Sequence, residues 1–162
     1  MSLRQKTFPT EDYYVDYQNL YTFLGVISQR QLFLAAANAL VDAGEEEKAL
    51  ELLDMSQECV PDDVYPLESI PLGFSGNDYV VAQIIENYYY LGEREKAQDL
   101  LFRLGNELLE TVSFYKEWGN LGKSEFETAT RVLLYLGELA KQYGDQDVAT
   151  AISAELSDML KS

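Results

Sequence analysis

Apolar residues along this chain recur at steps of three and four, the spacing of one helical face. One stripe, Phe33, Ala36, Ala37, Leu40 and Val41, runs into Gly44; another, Val81, Ile84, Ile85 and Tyr88, runs into Gly92. After each glycine the period resumes, with Ala49, Leu52 and Leu53 in the first case and Ala97, Leu100, Leu101, Leu104 and Leu108 in the second. A helix, a left-handed glycine stop and an antiparallel helix would write this pattern, so each stretch predicts a helical hairpin. The alanines let the two backbones approach, and the leucines beyond them fill the layer that opens up.

The turns repeat in sequence as well as in pattern. GEEEKALELL at 44–53 returns as GEREKAQDLL at 92–101, identical at seven of ten positions. A weaker third copy, GDQDVATAIS at 144–153, follows Leu136 and Gly137, and Val148, Ile152, Leu156 and Leu160 extend its apolar face. The register resembles the tetratricopeptide repeat, a helix-turn-helix of about 34 residues with a small residue at the turn, an alanine five later and a proline at the end. Phe33, Gly44, Ala49, Leu53 and Pro61 match in the first copy; Tyr88, Gly92, Ala97 and Leu101 match in the second, which lacks the terminal proline.

The turn glycines fall 48 and 52 residues apart, so inserts separate the repeats. One is a loop carrying Pro61, Pro66 and Pro71 that ends at Asn77 as a helix cap; the other is a lengthened helix followed by WGNLGKSE. The expected fold is all-α: a tetratricopeptide-like right-handed superhelix of three hairpins, at 28–60, 77–117 and 123–161, within one domain over 1–162. An N-terminal helical segment, EDYYVDYQNLYTFLGVISQR, precedes them with Tyr13, Tyr14, Tyr17, Tyr21 and Phe23 at helical spacing. It either caps the first hairpin or continues into it, Gly25 leaving the boundary open.

Charge narrows the partners. With 28 acidic against 12 basic residues the net charge is -16, which repels phosphate backbones and argues against nucleic acid and anionic membranes. The sequence holds no apolar run long enough to span a bilayer, and MSLRQKTFPT lacks the apolar core of a signal peptide, so no direct membrane insertion is expected. Met1, Ser2 and Leu3 read as a vector-derived start, and the chain as a fragment of a larger protein.

Catalytic chemistry finds little to stand on. The sequence has no histidine, which removes the commonest general base and metal ligand. Cys59, the single cysteine, reads as a small apolar residue near a helix end. The glycines follow helices, whereas a phosphate cradle needs them after a strand. Glu45, Glu46, Glu47, Asp62 and Asp63 read as acids that solvate turns and favour helix starts, without the alternation of a calcium loop. No catalytic residue, metal ligand or cofactor is assigned.

What remains is a surface for another chain. In a tetratricopeptide stack the first helix of each hairpin lines a groove; here those positions carry Gln31, Leu34 and Asn38, then Tyr79, Glu86, Tyr89 and Tyr90, then Arg131, Leu134 and Glu138. The tyrosines suit interface anchors, although Tyr88, Tyr89 and Tyr90 are consecutive and at least one must be core. Asn38 and Arg131 match two positions of the clamp with which some repeats hold a terminal carboxylate; the other clamp positions are apolar or neutral, so that function is not carried over.

A resemblance of wider span rests on NLYTFLGVISQRQLFLAAANALVDAG, GEEEKALELLDMSQECVPDD, SGNDYV and LGNELLETVSFYKEW. Together they resemble the soluble C-terminal region of large bacterial multi-pass membrane proteins similar to protein O-mannosyltransferases of the glycosyltransferase-C class. That resemblance implies a membrane part carrying the catalytic residues, followed by this helical region on the extracytoplasmic, periplasmic side. The region itself would then be a non-enzymatic interaction or scaffold module, its partner an acceptor protein or peptide, another subunit or the parent membrane domain. The alternative is direct participation in sugar transfer or hydrolysis through carboxylates such as Glu86 and Glu138, which the register puts on one face.

Overall fold

A computed structural model describes residues 20–62, 65–68, 76–117 and 119–161. They form six α-helices: α1 (Leu20–Asp42), α2 (Glu46–Cys59), α3 (Asn77–Tyr90), α4 (Arg94–Lys116), α5 (Lys123–Gln142) and α6 (Gln146–Lys161), with a short 3-10 turn at Gly119–Leu121. No strand occurs among the described residues, so the fold is all-α. The chain divides into two compact units, Met1–Leu67 and Glu68–Ser162.

The glycine stops close the three hairpins by one and the same device. Gly44, Gly92 and Gly144 have φ of 75°, 80° and 84°, a left-handed conformation that costs an L side chain about 1 kcal/mol or more. Each turn makes the paired bonds of a Schellman motif. The Glu45 amide donates to the Leu40 carbonyl at 2.8 Å and the Gly44 amide to Val41 at 2.9 Å. The same pair recurs at Glu93–Tyr88 (2.8 Å) with Gly92–Tyr89 (3.1 Å), and at Asp145–Ala140 (2.8 Å) with Gly144–Lys141 (3.1 Å). Five residues beyond each glycine, Ala49, Ala97 and Ala149 are all buried.

In the first unit α1 packs on α2, with Val26, Leu34 and Ala37 buried on one and Ala49, Leu53 and Ser56 on the other. α1 runs from Leu20 straight through Gly25, so the described part of the N-terminal segment continues into the first hairpin. Tyr13, Tyr14 and Tyr17 lie outside the described residues, as do the side chains of Tyr21 and Phe23. α2 ends at Cys59, two residues before Pro61, as the backbone restriction ahead of proline requires.

Arg30 holds the segment that follows. Its side chain is 1% exposed, and it donates to the carbonyls of Pro66 (2.7 Å), Tyr65 (3.0 Å) and Val60 (3.3 Å). A charge taken so far out of water is tolerated only with such partners. Cys59 sits beside this staple in an apolar cluster with Val26, Val60 and Tyr65, against which Phe33 packs.

In the second unit α4 touches α3, α5 and α6, and α3 also meets α5. Its core is built from Val81, Ile84 and Ile85 of α3, Leu100, Leu101, Leu104 and Leu108 of α4, and Leu133 and Leu136 of α5. Asn77 is not the cap the sequence predicts. Gly76 occupies that place, and the buried Asn77 amide instead donates to the Glu68 carbonyl at 3.2 Å.

Candidate functional site

Three consecutive tyrosines end α3, and the helix divides them sharply. Tyr88 is 2% exposed and Tyr89 6%, whereas Tyr90 is 59% exposed. Tyr89 is thereby removed from the open face on which the repeat register put it. Its hydroxyl donates to the Asp145 carboxylate at 2.6 Å, and its ring stacks on Tyr143 with centroids 5.0 Å apart and planes 9° from parallel. The Arg94 guanidinium ion-pairs with the same Asp145 carboxylate and donates to the Gly144 carbonyl at 3.2 Å. Burial pushes the Tyr89 phenol up from its ordinary range, with Arg94 opposing. This strut ties the turn of the last hairpin to the end of α3 and the start of α4.

In front of the strut lies an open face of α3 and α5. It carries Tyr79 and Tyr90 from α3 and Leu134 and Tyr135 from α5, all exposed. The Tyr135 hydroxyl donates to Glu86 Oε2 at 3.3 Å. Burial, then the Glu86 carboxylate, pushes the Tyr135 phenol up. Burial, followed by the charges of Glu86 and Tyr90, pushes the Tyr143 phenol up as well. Tyr135 and, one helical turn on from Glu86, the exposed Tyr90 thus set aromatic groups beside one carboxylate on this face.

The other predicted positions are spread. Arg131 is exposed on α5, and the exposed Glu138 carboxylate pairs with Lys141 at 3.8 Å. Asn38 is exposed on α1, in the first unit. Leu34, expected on the groove, is instead buried in the α1–α2 core. Tyr135 and Tyr143 were not predicted. A signal for Tyr135 existed, since it stands four residues after Arg131 and shares its helix face. Tyr143 sits just ahead of the turn glycine, where the other two copies have Ala43 and Leu91, and the pattern offers no aromatic precedent.

A second polar cluster surrounds Glu68. Its amide donates to Glu107 Oε2 at 2.9 Å, and its own carboxyl accepts from the Thr111 hydroxyl at 2.5 Å. Burial pushes its pKa from 4.5 to about 7; the Thr111 bond opposes that, while the charges of Glu107, Asp78 and Glu110 add to it. Glu68 lies in the proline-bearing loop, where sequence gives no hint of such an environment. Among the described residues no group of His, Cys, Asp and Glu is arranged to hold a metal ion.

Comparison with protein-family models, with curated proteins and with solved structures finds no match for this chain. No helix among the described residues is long and apolar enough to cross a membrane.

Proposed function

We propose that this chain is a tetratricopeptide-like interaction module that engages a protein or peptide partner through the α3–α5 face. The observation that carries the proposal is the threefold recurrence of one hairpin: a Schellman glycine, a buried alanine five residues on, and a first helix that keeps one side open. Stacked helical hairpins cover each other's apolar faces and leave the first helices as a binding surface. On that surface Tyr90 and Tyr135 offer large contact area with few rotamers to freeze, and Glu86 supplies a hydrogen-bond acceptor between them.

The test is a photo-crosslinking amino acid placed in turn at Tyr90, Tyr135 and, as a control away from the face, Phe102. Adducts of one defined mass from the first two positions and none from the third are expected. Equal yield from Phe102 overturns the assignment of the face, and no adduct at any position overturns the module itself.

This chain is further proposed to be the extracytoplasmic part of a bacterial membrane protein of the protein O-mannosyltransferase kind, its partner an acceptor protein, another subunit or the parent membrane domain. That half rests on the sequence resemblance alone. Deleting residues 4–162 from the longer protein should abolish envelope-protein glycosylation while leaving membrane insertion intact. Unchanged glycosylation would break the link to sugar transfer and leave the interaction reading untouched.

A further inference from the structure

α4 has 23 residues against 14 in α3, so its last turns run past its hairpin partner. Asn77, at the start of α3, and Glu107 of α4 both bond to Glu68, which marks the level where α3 begins. Beyond it, one side of α4 meets α6 across an open groove of about 650 Å³. Leu109 forms its buried floor, and Phe114, 54% exposed, and the half-buried Met159 form its apolar walls. Glu110 on α4, Glu117 just past its end, and Glu155 on α6 line the edges. Lys116 reaches across one end, its ammonium donating to the Met159 carbonyl.

A phenyl ring left half in water beside a half-buried methionine marks a surface that another apolar group can cover. The surrounding carboxylates decide what kind. A second copy of this chain would bring another net charge of -16, and an anionic lipid surface would meet three carboxylates, so like charge disfavours both. The wall on this side runs from Asn106 of α4 to Glu117 at its cap, about 17 Å or three turns of helix, and two flanking helices make a trough that fits a third.

We propose that this groove docks a cationic amphipathic helix of a partner polypeptide. Leucine-like side chains pack on Leu109, Phe114 and Met159, and lysine or arginine side chains meet Glu110, Glu117 and Glu155. The surface lies on α4 and α6, separate from the α3–α5 face, and stands or falls independently of it.

The experiment is calorimetric titration of the whole chain with a synthetic helix bearing leucine at i, i+3, i+4 and i+7 and lysine on the flanks. Its counterpart with glutamate in place of lysine serves as the reference. The lysine helix is expected to bind and the glutamate helix not. Phe114→Ser, and separately Glu110→Gln with Glu155→Gln, should each weaken binding by about tenfold or more. Glu46→Gln with Glu47→Gln removes the same charge from an exposed turn elsewhere and should change little. Phe114 is exposed, so circular dichroism should show Phe114→Ser folded. No binding overturns the proposal, as does equal weakening by the Glu46 and Glu47 pair, which would show only nonspecific attraction to an acidic protein. Tyr90→Ser should leave the affinity unchanged; a loss there would assign the peptide to the α3–α5 face instead.

Discussion

The residue ahead of each second helix is acidic in all three hairpins, and its surroundings give it a different task in the last. Glu45 and Glu93 are paired with Lys48 (2.9 Å) and Lys96 (3.7 Å) one turn on, in exposed pairs that contribute little. Asp145, at the same place, is buried under Tyr89 and Arg94. The energetics follow burial: Arg94 is 56% exposed, but Asp145 is buried, and removing the guanidinium leaves that carboxylate with the Tyr89 hydroxyl and one partner fewer. Arg94→Ala should therefore lower stability by about 1–3 kcal/mol in urea titration, whereas Lys48→Ala should change it by less than about 0.5 kcal/mol. The position of the acid in the repeat was readable from sequence, but its burial was not, because Tyr89 and Arg94, which cover Asp145, come from another hairpin. Glu68 makes a pH prediction at the same scale. Its folded pKa is raised from 4.5 to about 7, so the folded state holds a proton that the unfolded chain releases. The stability this carboxyl contributes is present below pH 4.5 and is lost as pH rises through about 7. Glu68→Gln should remove that part of the pH dependence, measured as melting temperature across the window; an unchanged slope would mean that burial, with the charges of Glu107, Asp78 and Glu110, shifts the carboxyl too little to matter.

At the scale of elements, the hairpin rather than the single helix was legible. Glycine, then alanine five residues on, then paired leucines is a local pattern, and local geometry suffices to realise it. α1 shows the limit. Gly25 lies inside it, with nothing among the described residues within 4 Å of where a side chain would begin, and the helix continues through it at a cost of only about 1 kcal/mol relative to alanine. Asn77 shows the other limit: a residue type favoured at helix caps was drawn to a carbonyl of the preceding loop, a contact no local rule contains. The alanine positions can be tested directly. Ala97 is fully buried where α4 crosses α3, so Ala97→Leu should overpack the second hairpin and cost about 1–3 kcal/mol. Ala151→Leu, on the exposed side of α6, should be nearly neutral. Thermal melts of the two variants separate a close-approach requirement from general intolerance of larger side chains.

At the scale of the whole molecule, the face and the charge were unequally legible. Of the positions the repeat register expects on the open side of a first helix, Tyr79, Tyr90 and Arg131 are exposed and Glu86 is half-buried. Tyr89 escaped it because its neighbour at Asp145 belongs to a contact 56 residues away. The net charge of -16 needs no fold to be read, and it acts on the molecule as a whole. Exposed carboxylates outnumber the cations that can pair with them, so at low ionic strength self-repulsion favours the expanded, unfolded chain. Raising salt from about 10 to about 150 mM shortens the screening length from about 30 to about 8 Å and weakens that repulsion. The exposed Lys–Glu pairs are screened as well, but each contributes under about 1 kcal/mol. The Arg94–Asp145 pair, with its carboxylate buried, is screened less than a fully exposed pair. Repulsion should therefore dominate, and the melting temperature at neutral pH should rise with sodium chloride. A fall on adding salt would mean that the surface pairs outweigh the excess of acid. The stabilising balance would then have to be sought in the ion pairs rather than in the apolar core.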